Sequence, residues 1–188
     1  MTTASLNQST QTSTKMNPNN IEGWMSPVEL EWLTEQAAHY KTIVEIGSYK
    51  GRSTIALAQG APGVVYAVDN WYGPKDVDMS PAQRLSILDE FKQNLKAFID
   101  DNKVIVETCD HKDAINLKVK PDMVFIDGDH TYEGVKSDIA IWLYKAAPGA
   151  LICGHDAQAE GVKQAVLEAF GVLQVGPGTT IWFARKNV

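Results

Sequence analysis

Two short runs concentrate the side chains able to hold cations or move protons. Asp127-Gly128-Asp129-His130-Thr131-Tyr132 follows the apolar Met123-Val124-Phe125-Ile126, and Gly154-His155-Asp156 follows the apolar Ala150-Leu151-Ile152-Cys153. If both apolar segments are adjacent strands, hard oxygen donors and imidazoles meet at one rim of a sheet, which is the donor set a divalent cation requires. Asp127, His155 and Asp156 are the metal-ligand candidates. The same side chains have plainer uses: Asp129 as a cap of the following helix, His130 as a partner for backbone groups, and His155 with Asp156 as a cap near residue 160.

A third run precedes these. Ile43-Val44-Glu45-Ile46-Gly47-Ser48-Tyr49-Lys50-Gly51-Arg52-Ser53 closes an apolar strand on a carboxylate and a glycine turn, and the next strand, from Gly63, ends in Asp69. Gly47 lets the chain turn, and Gly51 permits close approach where a helix begins. In an open parallel sheet the crevice beyond the carboxyl ends of the strands takes the ligand, so Glu45 and Asp69 are both expected to face it. The turn is not a phosphate cradle, because Tyr49 and Lys50 occupy the stretch where a dinucleotide fingerprint needs glycines, and no Walker loop is present.

The elements that must position these runs alternate. Strands are predicted at 42–46, 63–69, 103–108, 122–126 and 148–153, with helices at 52–59, 81–99, 112–116, 132–145 and 160–170. Before them, Ser26-Pro27-Val28-Glu29 is a capping box with proline at the first helical position. In the helix from Pro81, Leu85, Leu88, Phe91, Leu95 and Phe98 form one core stripe. Short strands at 171–175 and 179–185, joined by Gly176-Pro177-Gly178, read as a hairpin. The fold class is α/β: a Rossmann-like, mostly parallel seven-stranded sheet with helices on both faces. Residues 1–20, nearly all Thr, Ser, Asn and Gln, read as a disordered polar tail, and 21–188 as a single domain.

The arrangement E-x-G-x-x-x-G followed by a strand-ending Asp resembles the cofactor site of class I S-adenosylmethionine-dependent methyltransferases. The resemblance covers about residues 40–185 and implies a last strand antiparallel beside the fifth. It also implies that S-adenosyl-L-methionine is held by Glu45, Gly47, Ser48, Gly51, Ser53, Asp69, Asn70, Trp71, Asp110, His111 and Asp127. Within that set, Asp69 takes the ribose hydroxyls, Asp110 the adenine amino group and Trp71 a stacking place on adenine, while Glu45 supports the turn. The run Phe-Ile-Asp-Gly-Asp-His-Thr-Tyr-Glu-Gly-Val with Gly-His-Asp is similar to a narrower branch, the small bacterial relatives of metal-dependent O-methyltransferases of the catechol and macrolide-sugar kinds. That likeness implies Mg²⁺ on Asp127, His155 and Asp156, with His130 as base and Asp127 beside it in catalysis. His155 departs from the branch, which places Asp, Glu or Asn there, so Mn²⁺ or no metal stays open.

Composition narrows the classes. A net charge of -6 over 188 residues argues against non-specific binding to nucleic acid. No apolar run is long enough to span a bilayer and the N-terminus lacks a signal pattern, so a cytoplasmic protein without a membrane partner is expected. Cys109 and Cys153 fit neither a disulfide framework nor metal spacing and read as buried thiols. The leading expectation is O-methylation of a small-molecule hydroxyl with help from a divalent ion. A metal-free N- or O-methyltransferase and a non-catalytic S-adenosylmethionine-binding domain are the alternatives, and a homo-oligomer stays open. Trp24 and Met25 are expected to form one wall of the acceptor site, and the loop 70–80 to act as its lid.

Overall fold

A computed structural model describes residues 16–73 and 77–187. Helix α1 (Pro27–Ala37) starts at the capping box: Ser26 Oγ accepts from the Glu29 amide, and Glu29 Oε2 accepts from the Ser26 amide at 2.8 Å. Strand β1 (Thr42–Ile46) leads to α2 (Arg52–Gly60), β2 (Val64–Asp69), α3 (Pro81–Asn94), α4 (Lys96–Asp100) and β3 (Val104–Thr108). A 3₁₀ turn at Asp113–Asn116 precedes β4 (Met123–Ile126), α5 (Tyr132–Lys145), β5 (Leu151–Gly154), α6 (Glu160–Phe170), β6 (Gln174–Val175) and β7 (Trp182–Arg185).

The seven strands form one sheet in the order β3-β2-β1-β4-β5-β7-β6, parallel from β3 to β5 and antiparallel at β7 and β6. The order in which strands are laid down reverses between the parallel neighbours β1 and β4, where Ile46 pairs with Ile126. That junction is the switch point at which open α/β sheets take ligands. β4 and β5 carry no charged side chain, and β1 only the buried Glu45, because helices cover both faces. Ile43, Val65, Met123, Phe125 and Leu151 pack on one face with α1, α2 and α3, while Val44, Val68, Val124 and Ile152 pack on the other with α5 and α6.

Three sequence expectations change. The single helix over 81–99 breaks at Leu95, and its buried row is Ile87, Phe91 and Leu95, spaced i, i+4. Leu85 lies off that row and is 81 % exposed, because a stripe stepping by three and four around the helix is wider than the single ridge the sheet accepts. The terminal hairpin has only two residues in its first strand, since Gly171 at φ +71 ends α6 and the chain needs 172 and 173 to reach the sheet edge. Cys153 is buried, with its thiol against the Val124 carbonyl, but Cys109 just past β3 is half-buried.

Of the segment read as a polar tail, 1–15 lie outside the described residues. Residues 16–20 are placed: Met16 packs on the core and Asn17 caps a 3₁₀ turn over Pro18–Asn20. In the loop 70–80, Pro74 and its two successors also lie outside the described residues.

Candidate active site

The carboxyl ends of β1, β2 and β4 converge on the glycine turn. Gly47 has φ +86, donates its amide to Val68 O at 2.9 Å, and sits so close to β4 that a Cβ would lie 2.2 Å from Asp127 O. No residue but glycine fits there without displacing backbone. The following amides turn toward Asp69, whose Oδ2 accepts from Ser48 N and Tyr49 N at 2.9 Å each, while Oδ1 accepts from Trp71 N at 2.7 Å. Asp69 therefore stitches the turn after β1 to the loop after β2. Three backbone bonds leave its oxygens further lone pairs on the cavity side.

Glu45 is fully buried beneath this turn, and the expectation that it faces the crevice fails. Its Oε2 accepts from Ser48 Oγ at 2.7 Å and Thr54 Oγ1 at 2.5 Å. Burial pushes its carboxyl up to about 7 against the pull of the Ser53, Thr54 and Ser48 hydroxyls. Gly51, at φ +91, opens α2, yet what approaches it is protein: a Cβ there would lie 2.1 Å from Leu95 Cδ1. Trp71 is buried with its ring 4.7 Å from Phe91 and its Nε1 donating to Thr108 Oγ1. It packs in the core instead of presenting a face for adenine.

A cavity of about 750 Å³ opens above the turn. Among the sequence candidates Gly47, Ser48, Ser53, Asp69, Asn70, Asp110, His111, Asp127, His130, His155 and Asp156 line it, whereas Glu45, Gly51 and Trp71 do not. Trp24 and Met25 form part of the wall as expected, Trp24 packing on Tyr49 with ring centres 5.3 Å apart and planes tilted by 42°. Sequence reasoning missed how this wall is held. Arg52 donates to the carbonyls of Ile21 at 2.6 Å, Met25 at 2.9 Å and Asn19 at 3.1 Å, clasping the segment before α1 onto the first turn of α2. The signal was a cation at a helix N-terminus, where the dipole disfavours it unless it has work elsewhere.

At the far rim, the Asp127, His130 and Asp156 ligand atoms all lie within 4.8 Å of one another. His130 Nε2 is 3.2 Å from Asp156 Oδ2 and 3.7 Å from Asp127 Oδ1. The expected set of Asp127, His155 and Asp156 is thus arranged differently. His155 is 8 % exposed and lies behind the carboxylates, with Nδ1 3.3 Å from Asp156 Oδ2 and 3.7 Å from Asp127 Oδ1 and Nε2 3.2 Å from Glu29 Oε1. Burial works against its charge, but Asp156, Asp127 and Glu29 outweigh it and hold His155 up at about 9. Glu29, although buried, is drawn down to about 2 by the Ser26 and Thr180 donors around it. Asp127 is shifted upward by burial in spite of the histidines, and Asp156 downward chiefly by His155.

The chain past β4 takes an Asx turn in which Asp129 Oδ1 accepts from Thr131 N at 2.8 Å; Thr131, and not Asp129, caps α5. His111, without a partner readable from sequence, pairs through Nδ1 with Asp138 Oδ1 at 2.5 Å. Oxygen donors from two carboxylates plus one imidazole suit a divalent cation, and the same three groups suit a histidine base steered by carboxylates.

A family model described as a methyltransferase domain matches residues 44–157, the span from the strand before the glycine turn to just past Asp156. Solved structures agree in architecture. Cofactor-bound Rv0187 from MTB is 22% identical over 89% of this chain and 84% of its own, with a TM-score of 0.67. The O-methyltransferase from Bacillus cereus in complex with SAH is 21% identical over 91% of this chain and 86% of its own, at 0.63. The O-methyltransferase TomG from Streptomyces achromogenes, in complex with SAM, is 17% identical over 91% and 86%, at 0.63.

Proposed function

The chain belongs to the methyltransferase domain family whose model spans residues 44–157, and we propose that it transfers the methyl group of S-adenosyl-L-methionine to a hydroxyl of a small molecule. The observation that carries this reading is one cavity joining the Gly47 turn and Asp69 to the Asp127, His130 and Asp156 cluster. The Bacillus cereus and Streptomyces achromogenes enzymes, O-methyltransferases in complex with SAH and SAM, support both cofactor and acceptor atom.

The nucleoside and amino-acid ends of the cofactor lie along Gly47, Ser48, Asp69 and Asp110, and the acceptor enters beside Trp24 and Met25. His130 removes the hydroxyl proton while Asp156 orients its imidazole, and the oxygen attacks the sulfonium methyl in line. Holding the two reactants at attack distance contributes roughly 7–11 kcal/mol of the barrier reduction. Asp127 and Asp156 offer hard oxygens that would hold a divalent cation, Mg²⁺ or Mn²⁺, which when bound would supply Lewis acidity to the acceptor oxygen while the His130 lone pair stays available for the proton. The metal-free reading has its own support: the His155 cation already faces both carboxylates and compensates their charge.

Methyl transfer from labelled S-adenosyl-L-methionine to a panel of phenols and sugar alcohols, with Mg²⁺, Mn²⁺ or EDTA, tests both readings. Product that vanishes with EDTA and returns with either ion supports the metal-assisted form, product indifferent to EDTA the metal-free form, and cofactor binding without any transfer contradicts the enzyme.

A further inference from the structure

Asp138, on the buried face of α5, has no solvent exposure, and only one of its two carboxylate oxygens is used by the described residues. That oxygen faces His111 Nδ1, and on the cavity side His111 Nε2 stands 3.5 Å from Asp110 Oδ1. Both His111 and Asp110 line the cavity, in the loop after β3, while Asp138 sits behind them. We propose that Asp138 is a positioning residue that makes His111 a ring N–H donor beside the Asp110 acceptor, so that the cavity wall distinguishes a 6-aminopurine from a 6-oxopurine. The proposal rests on the reading that S-adenosyl-L-methionine is the cofactor.

The chemistry follows from imidazole. With Nδ1–H donating to Asp138, a neutral His111 would carry a lone pair on Nε2 and act there as an acceptor; only the imidazolium donates from both nitrogens. A buried carboxylate at 2.5 Å is what holds that charge, and Asp138 raises the His111 affinity for a proton above its ordinary value. A donor next to an acceptor complements the adenine edge, where N1 accepts and the 6-amino group donates. Hypoxanthine inverts the pattern, with N1–H donating and O6 accepting, so donor would face donor and carboxylate would face carbonyl. The other charged groups on this pair are Asp110 and Lys112 from the same loop, and Asp129, which acts on Asp138 from the β4 side. None of them replaces a contact to Nδ1.

The test is calorimetric binding of S-adenosylhomocysteine and of S-inosylhomocysteine to the intact chain, its Asp138→Asn variant and its His111→Ala variant, between about pH 5.5 and pH 8. The wild-type chain is expected to prefer the adenosyl ligand by roughly tenfold or more, the scale of a lost charged hydrogen bond. In Asp138→Asn the preference should fall to the part that Asp110 alone supplies at pH 8 and return at pH 5.5, where the imidazole recharges without its partner; a purely structural Asp138 would not give that return. His111→Ala should show only the residual preference that Asp110 supplies, at every pH, which keeps the test decisive if the Asn variant does not fold. An unchanged preference in either variant would overturn the proposal. Failure of the wild-type chain to bind S-adenosylhomocysteine at all would overturn the cofactor reading and this inference with it, a result distinct from binding without discrimination.

Discussion

Glu29 Oε1 lies 3.2 Å from His155 Nε2, so the residue that completes the capping box of α1 also faces the imidazole that follows β5. The same Oε1 accepts from Thr180 N and Thr180 Oγ1 at 2.9 and 2.8 Å. One carboxylate thereby ties the N-terminal segment, the turn after β5 and the terminal hairpin together. Replacing it by Glu29→Gln removes the charge but keeps the shape. The expected loss is about 1 kcal/mol, the scale of one hydrogen bond, because Asp127 and Asp156 still compensate the His155 charge. Urea unfolding at pH 7 measures it, and a change below about 0.5 kcal/mol would rule out the ion pair as a structural link.

Glu45 gives a pH signature of stability. Its carboxyl is at about 7 in the folded chain against 4.5 unfolded, raised first by burial. Below pH 4.5 the group is protonated in both states and costs nothing. Between pH 4.5 and about 7 the unfolded carboxyl ionises while the buried one keeps its proton, so stability falls across that window, by up to about 3 kcal/mol for a shift of that size, and is level above it. Glu45→Gln, which retains an acceptor for Ser48 and Thr54, should lack this fall. Denaturant unfolding of both chains at pH 5 and pH 8 is the check; parallel behaviour of the two would show that Glu45 is charged in the fold at both.

Gly47→Ala should abolish cofactor binding and destabilise the fold by about 2 kcal/mol or more, because the added Cβ meets Asp127 O in a backbone conformation that L side chains avoid. Calorimetry with S-adenosylhomocysteine and thermal unfolding read the two effects separately. Retained affinity would mean that the β1–β4 contact is not what shapes the cofactor turn.

His130→Ala should remove turnover by 100-fold or more, within the range roughly 10²–10⁴ for a positioned base, while cofactor affinity stays within a few fold. Initial rates alongside binding isotherms decide it. Parallel loss of rate and affinity would make His130 a structural residue.

Much of this was legible in the sequence, for identifiable reasons. Alternating apolar runs and helical stripes marked the succession of strands and helices along the chain, and the strand-ending acids with their glycines located the cavity, because those signals are local. Partners across the fold were not. Nothing near Glu29 announces Thr180, 151 residues away, and nothing near His111 announces Asp138 on α5. Trp71 looked like an adenine platform because it follows Asp69, but its backbone at φ +63 turns the indole back onto Phe91. Gly51 looked like a ligand contact for a similar reason: sequence shows that something comes close, not that it is Leu95. His155 lies behind the carboxylates and His130 beside them, because spacing along the chain says which loop carries an imidazole and not which side of the carboxylates it occupies.

If the Gly47 turn holds S-adenosyl-L-methionine, a calorimetric titration of S-adenosylhomocysteine into the purified chain, with NAD as the control ligand, reads it directly. Saturable one-to-one binding in the micromolar range and no heat from NAD are expected. Binding of NAD, or no heat from S-adenosylhomocysteine, would contradict it.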